Sequence, residues 1–326
     1  MSTQLNSLNQ LEPPKDSAKK LKITIESDRL KTVGRLHAWG ILLVPFFGLV
    51  IAIALTGQYG IKPMAVALLV GMYTLTIFGI TVGFHRHFTH CAFQTNTTIR
   101  VILAILGSMA AQGSLNYWVA THRRHHQYSE QPEDPHSPHQ PGKGWGGHLW
   151  GLWYAHIGWM FQPEFTNPIL FAKDLLRDPV ICRVNQLYFW WIVLGLAIPT
   201  ILGGVFTGTW MGAFQGFLWG GLVRIFLVHH ATWSINSITH LYGRRTFDTR
   251  EQSRNNIWLA IPTLGEGWHN NHHAFPSSAQ FGLRWWQIDL GYWAIRVLEW
   301  LGLVWDIKIP TAGMISNAKF KMPNSK

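Results

Sequence analysis

The chain has 326 residues, 48% of them hydrophobic and only 13% charged, with 18 Trp and 17 His. A soluble globular chain carries about 25% charged residues, so half that share points to lipid as part of the solvent and excludes coiled-coil and disordered classes. Two cysteines, Cys91 and Cys182, are too few for a disulfide framework or a four-thiolate zinc site. The net charge of +11 invites a nucleic-acid reading, yet Lys and Arg are scattered between apolar runs rather than gathered on one helix, so no nucleic-acid partner is expected.

Residues 1–36 form a polar, basic tail with Lys19, Lys20, Lys22, Arg29, Lys31 and Arg35. No short apolar run with a small-residue cleavage site follows, so the tail is expected to stay on, lying on the inner side near anionic lipid. Four runs then have the roughly 20 residues needed to cross a bilayer core: Ala38–Leu55, Met64–Phe84, Leu187–Phe206 and Trp210–Val228. Short loops at 56–63 and 207–209 pair them into two hairpins. Among all Lys and Arg, only Lys62 lies in those loops and only Arg224 lies inside a run; every other one falls on the opposite side. Positive charge stays inside, which turns both hairpin tips outward. Arg224, about one turn from the inner end, is expected to snorkel.

A fifth run, Ile102–Ala120, carries Gln112, Ser114 and Asn116. If it spanned, the histidines before and after it would sit about 30 Å apart. It therefore reads as a helix dipping into the interface or packing under an inner domain. Residues 229–283 are polar and rich in histidine. Beyond them Trp286, Leu290, Trp293, Val297 and Leu301 recur at helical spacing, with Asp289, Arg296 and Glu299 on another face. That pattern fits an amphipathic helix at the membrane interface or a cap on the inner domain. The expected fold is an all-α integral membrane protein with four transmembrane helices and an inner helical cap over residues 37–307, flanked by tails 1–36 and 308–326.

Three histidine clusters fall on the inner side, each near a membrane boundary: His85-Arg86-His87-Phe88-Thr89-His90, His122-Arg123-Arg124-His125-His126 and His269-Asn270-Asn271-His272-His273. Histidines at i, i+3 and i+4 share a helix face, so the second and third clusters can each project three imidazoles to a common point. His85 and His90 lie about 140° apart on an α-helix and would bracket a metal from its end. Eight imidazoles are too many for one tetrahedral ion, and two metals is the natural count. Imidazole suits Zn, Cu, Fe or Ni. His229-His230 is adjacent in sequence, does not share a face and reads as structural. Glu133-Asp134-Pro135-His136, a Glu-x-x-His match, holds a proline and reads as coincidence.

These clusters, present as HRHFTH, HRRHH and HNNHH, make the chain resemble the membrane fatty-acyl desaturases of the Δ9 type. Gly265-Glu266-Gly267-Trp268 before the third box and Ala274-Phe275-Pro276 after it match the same family, and the resemblance runs from about residue 37 to 307. It implies two iron ions (Fe2+/Fe3+) held by His85, His90, His122, His125, His126, His269, His272 and His273. It adds His240 as a ninth ligand and Asn236, one turn earlier, holding a metal-bound water. His87 is not a ligand position in the family. The resemblance places Gln112, Trp118, Thr232 and Trp233 at the bend of the substrate channel and Tyr73 at its closed end. Ile77 stands where the long-chain animal enzyme has a small residue, which implies a shorter tunnel.

The implied activity is O2-dependent formation of a cis double bond at Δ9 in a saturated C16 or C18 chain. The Arg-Asp that precedes the second box in acyl-CoA enzymes is here Ala120-Thr121, which shifts weight from acyl-CoA to a lipid-linked chain. No haem module is fused to the domain, so an external electron donor such as ferredoxin is implied. The expected setting is a bacterial inner or thylakoid membrane with the histidines on the cytoplasmic side. The nearest rival is a hydroxylase of the same histidine-box superfamily.

Overall fold

The computed structural model describes residues 22–139 and 144–318. The basic stretch 1–21 and residues 319–326 of the expected tails lie outside the described residues. Four helices are long and apolar enough to cross a membrane: Asp28–Gln58, Pro63–Thr89, Tyr188–Thr207 and Trp210–His240. The two hairpins are as expected, but three of the helices outrun their apolar runs. The first starts ten residues earlier than Ala38. The second and fourth continue past Phe84 and Val228, so each carries polar, histidine-bearing turns beyond its apolar run.

The third and fourth spans pack through small residues. A Cβ on Gly216 would stand 2.0 Å from the Pro199 carbonyl oxygen, and one on Gly220 2.4 Å from the Pro199 Cβ. Glycines four apart thus let two backbones touch, as membrane helices require where apolar burial supplies no drive. Pro199, inside the third span, has no N–H to give to the Gly195 carbonyl, which accepts instead from Arg224 Nη2 of the fourth span at 2.8 Å.

The fifth run is not one helix. It splits into Thr97–Ser108 and Leu115–Tyr128, separated by a turn in which Ala111 (φ 59°) and Gly113 (φ 101°) are left-handed. The first piece packs on the second span, where a Cβ on Gly79 would meet the Gly107 backbone nitrogen at 2.2 Å. The second piece carries the second histidine box. Arg224 does not snorkel. It is fully buried because the fourth helix runs on to His240, and it donates to three carbonyl oxygens: Met109 (2.6 Å), Gly195 (2.8 Å) and Gly220 (3.2 Å).

The late amphipathic helix spans Leu290–Trp300. Trp293, Val297 and Leu301 are exposed, an apolar stripe without a protein partner, as an interfacial helix presents to lipid. Arg296 and Glu299 pair on the surface at 2.6 Å. Asp289 departs from the expected polar face. It is buried at the helix start, accepts from the Tyr292 backbone N–H at 2.9 Å, and meets Arg86 at 2.9 Å.

Candidate metal centre

The first box lies on a π-helical stretch, Gly79–Thr89, that continues the second span. Its wider turn bonds residues five apart, and the His90 N–H donates to the His85 carbonyl at 3.1 Å. Two histidines 140° apart on an α-helix are thereby brought to one side, with ring centroids 4.8 Å apart. The third box is a short helix, His269–Ala274, locked by its own asparagines. Asn270 Oδ1 accepts from the backbone N–H groups of Thr246 (2.7 Å) and Phe247 (2.8 Å), and Asn271 Nδ2 donates to the Phe281 carbonyl (2.8 Å).

The nine histidines expected as ligands gather into two adjoining sets. One is His85, His90, His122, His126 and His272; the other is His125, His240, His269 and His273. Within each set the ligand atoms lie within 4.8 Å of one another. Neither three-histidine box aims at one point. Positions i and i+4, about 40° apart, serve one set and i+3 the other, because the two sets flank each helix and i+3 points about 60° from i and 100° from i+4. His126 and His273, from different sets, stack at 4.5 Å, so the two sets share a wall.

The rings face inward through Nε2. His85–His272 (3.0 Å), His126–His272 (2.9 Å), His122–His126 (3.1 Å), His240–His269 (3.1 Å) and His269–His273 (3.1 Å) bring nitrogen to nitrogen. Carboxylates sit on the outer Nδ1 atoms: Glu266 on His85 (2.5 Å), Asp134 on His125 (3.0 Å), Glu130 on His240 (3.0 Å) and Glu251 on His273 (3.5 Å). An Nδ1–H donated to a carboxylate leaves the Nε2 lone pair pointing inward, which is how metal-binding imidazoles are oriented. The buried His90 Nε2 has no hydrogen-bond partner. Converging neutral nitrogen lone pairs in a buried space fit metal cations and fit little else.

Burial, then mutual repulsion among the rings, holds His90, His122, His126, His269, His272 and His273 well below the ordinary histidine value, so they are neutral and ligand-ready at pH 7. His125 is the exception. Burial pushes it down, but the Asp134 charge and hydrogen bond outweigh burial and raise it. Burial pushes Glu130 up, yet hydrogen bonds to His139 and His240 hold it down at about 2.

The carboxylates are fixed in turn. Glu266 accepts from Thr81 Oγ1 (2.6 Å) and Arg86 Nη1 (3.2 Å), and Arg86, fully buried, bridges it to Asp289 while stacking 4.0 Å over the Phe281 ring. Glu133-Asp134-Pro135-His136 supplies no Glu-x-x-His ligand pair, but Asp134 within it orients His125. Glu130 and Glu251 were not singled out from sequence. For Glu130 the available signal was scarcity: of 16 acidic residues in the chain, three fall within eight positions of the second box, whereas Glu251 lies far from any box.

His87 is neither ligand nor exposed. It is buried, its Nδ1 3.3 Å from the Phe93 carbonyl oxygen. His229 and His230 stay outside the sets, on the Ala110 carbonyl (2.8 Å) and His156 (3.0 Å).

A cavity of about 330 Å³ opens beside both sets. His85 and His122 from one and His269 from the other line it, together with Ile77, Gln112, Trp118, Thr232, Trp233 and Asn236. Gln112 spans two walls, its Nε2 donating to Thr232 Oγ1 (2.9 Å) while its Oε1 accepts from Trp118 Nε1 (3.4 Å). Tyr73 lies one turn beyond Ile77 and outside this lining, its hydroxyl donating to the Pro262 carbonyl at 2.7 Å.

The model of the fatty acid desaturase family matches residues 59–299. A hex-5-enoyl-[acyl-carrier protein] acetylenase of Moorena producens is 51% identical over 91% of this chain and 93% of its own length. Two cyanobacterial enzymes are each 38% identical: the sn-1 stearoyl-lipid 9-desaturase of Anabaena variabilis, over 71% of this chain and 79% of its own, and the sn-2 palmitoyl-lipid 9-desaturase of a Nostoc strain, over 80% and 87%. Four membrane-length helices, a doubled histidine centre beside an apolar cavity and these matches agree: the chain is an oxidoreductase of the fatty acid desaturase family.

Proposed function

We propose that the chain is an O2-dependent fatty-acyl desaturase whose two histidine sets hold two irons, with Asn236 holding a water at the four-histidine set. The observation that carries this reading is that ligands of both sets line one apolar cavity. Bound there, the irons supply activation of O2 with two electrons from an external donor such as ferredoxin. In balance, the acyl chain loses two hydrogens, and O2 with two electrons and two further protons becomes two waters.

This chain's own residues supply placement. The Gln112–Thr232 bridge and the Trp118 indole shape the cavity wall next to His85 and His122, so regiochemistry follows from which methylenes are held there. Trp233 and Ile77 supply apolar wall, and the buried surroundings exclude water. Tyr73 and Ile77 set the closed end. The Glu266, Asp134, Glu130 and Glu251 carboxylates keep the proton on the outer nitrogen of their histidines. The basic tail and the positive-inside arrangement support a reading with the histidines on the cytoplasmic side of a bacterial inner or thylakoid membrane.

For the acyl group, the first reading is a lipid-linked C16 or C18 chain desaturated at Δ9, supported by the 38% relatives and by Ala120-Thr121 before the second box. A second reading, a shorter chain on an acyl-carrier protein, is favoured by the 51% relative and by a cavity whose lining stops at Ile77. Exposed Arg29 and Arg183 flank cavity residues Val33 and Gln186, a setting that suits an acidic carrier.

The test is product analysis by gas chromatography–mass spectrometry, in a bacterial host and with purified protein given lipid-, CoA- or carrier-protein-linked chains, beside His125→Ala. A new cis-Δ9 bond on phospholipid, absent from the variant, supports the first reading; an unsaturated short chain on the carrier protein supports the second. Hydroxylated chains would replace both with hydroxylation. Ile77→Ala is expected to shift the products toward longer chains, and an unchanged chain-length profile would remove Ile77 from the tunnel end.

A further inference from the structure

The turn at 109–114 is held almost residue by residue by the fourth spanning helix. Arg224 Nη1 donates to the Met109 carbonyl (2.6 Å), His229 Nε2 to the Ala110 carbonyl (2.8 Å), and Thr232 Oγ1 accepts from Gln112 Nε2 (2.9 Å). The third span completes the frame: the Gly113 N–H donates to the Tyr188 hydroxyl at 2.8 Å. Arg224 also joins the two frames, because its Nη2 donates to Gly195 of the third span at 2.8 Å.

A buried guanidinium inside a span, with no carboxylate within reach among the described residues, marks a functional position by default. Two of its partners, Met109 at the end of a broken helix and Gly195, four residues before Pro199, offer carbonyls that would be costly to leave unpaired at this depth. Ala111 is held left-handed, a conformation that persists in a non-glycine residue only where its surroundings over-determine it. The rigid fork of arginine reaches two carbonyls on different elements at once, which a lysine ammonium does less well.

We propose that Arg224 is a positioning residue for the acyl chain. By fixing Met109 against the third and fourth spans it sets where Gln112 stands in the cavity, and so which methylene pair lies beside His85, His122 and His269. This rests on the desaturase reading. Arg224 itself does not line the cavity.

The experiment compares wild type, Arg224→Met and Arg224→Lys in detergent and in lipid. It reads metal content, amide hydrogen exchange of peptides covering 109–114, and the double-bond positions of the products. Arg224→Met is expected to keep its metal, exchange faster in that segment alone, and give a mixture of positional isomers where wild type gives one; Arg224→Lys should restore part of the selectivity. An unchanged single position in Arg224→Met would overturn the proposal. So would loss of metal and of protection along the whole chain in both variants, which would make Arg224 a general support of the fold. If wild type forms no double bond on any acyl donor, the desaturase reading falls instead. The exchange data would then still decide whether Arg224 holds the turn: unchanged exchange at 109–114 would overturn that part.

Discussion

The first and third spanning helices and the second and fourth share one apolar alphabet but have opposite surroundings. In their most apolar windows 22% and 17% of residues are buried in the first pair, against 50% and 56% in the second. The outer pair leaves most of its apolar surface uncovered by protein. The inner pair is clasped by protein, continues past its apolar runs, and carries His85 and His90 on one helix and Arg224, Thr232, Asn236 and His240 on the other. Both π-helical stretches, Gly79–Thr89 and Gly216–Val223, also belong to the inner pair. Hydropathy alone makes the four helices look alike; what separates them is how far each is packed against protein, and the site histidines and the buried arginine lie on the two packed ones.

This contrast can be broken at several depths. His125→Ala removes a ligand from the four-histidine set and exposes Asp134 to an empty space, and it is expected to abolish product and lower bound metal, measured by elemental analysis. Glu266→Gln keeps the shape but weakens the acceptor behind His85 and leaves Arg86 with one carboxylate fewer. Loss of such an orienting partner costs roughly 10–100-fold in metal affinity, read by competition with a chelator. The pH dependence should follow from the histidines held neutral by burial. Their folded pKa lies below the unfolded value of about 6.5, so the unfolded chain binds more protons in acid, and stability should fall as pH drops below about 6.5. Thermal melts at pH 8, 7, 6 and 5 check this, and a flat profile would mean the rings are solvated. In the membrane half, Gly216→Ala forces a Cβ onto the Pro199 carbonyl and should cost about 1–3 kcal/mol of thermal stability while leaving metal content unchanged.

The spans, the hairpin pairing and the eight histidines of the boxes are legible in the sequence because each rests on composition or fixed spacing; His240 is reached only through the family resemblance. The interruption at Ala111 is not legible: its cause is three-dimensional, carbonyls met from Arg224 and His229 and a Gly113 N–H accepted by the Tyr188 hydroxyl, all distant in sequence. The same holds for Arg224, whose snorkelling reading depended on the helix ending near Val228. Spacing also misled on the boxes themselves. Three residues on one broad face of a helix still diverge enough to reach two neighbouring centres, and only the opposing histidines decide which residue goes where. Asp134 was in view but dismissed, since a motif search asks for ligands and overlooks the groups that aim them.

The interleaving of the two sets has a consequence for how the protein is assembled in the cell. His125 and His126 are neighbours on one helix and belong to different sets, as do His272 and His273 on another. A first ion that captures its histidines from both helices fixes the rotation of each, and thereby presents the remaining imidazoles to the second ion already ordered. The ordering entropy is then met largely once, and uptake should be cooperative: titrated with metal, the chain should pass from empty to doubly filled with few singly loaded molecules, so that a cell short of metal would hold a smaller number of complete enzymes rather than many half-built ones.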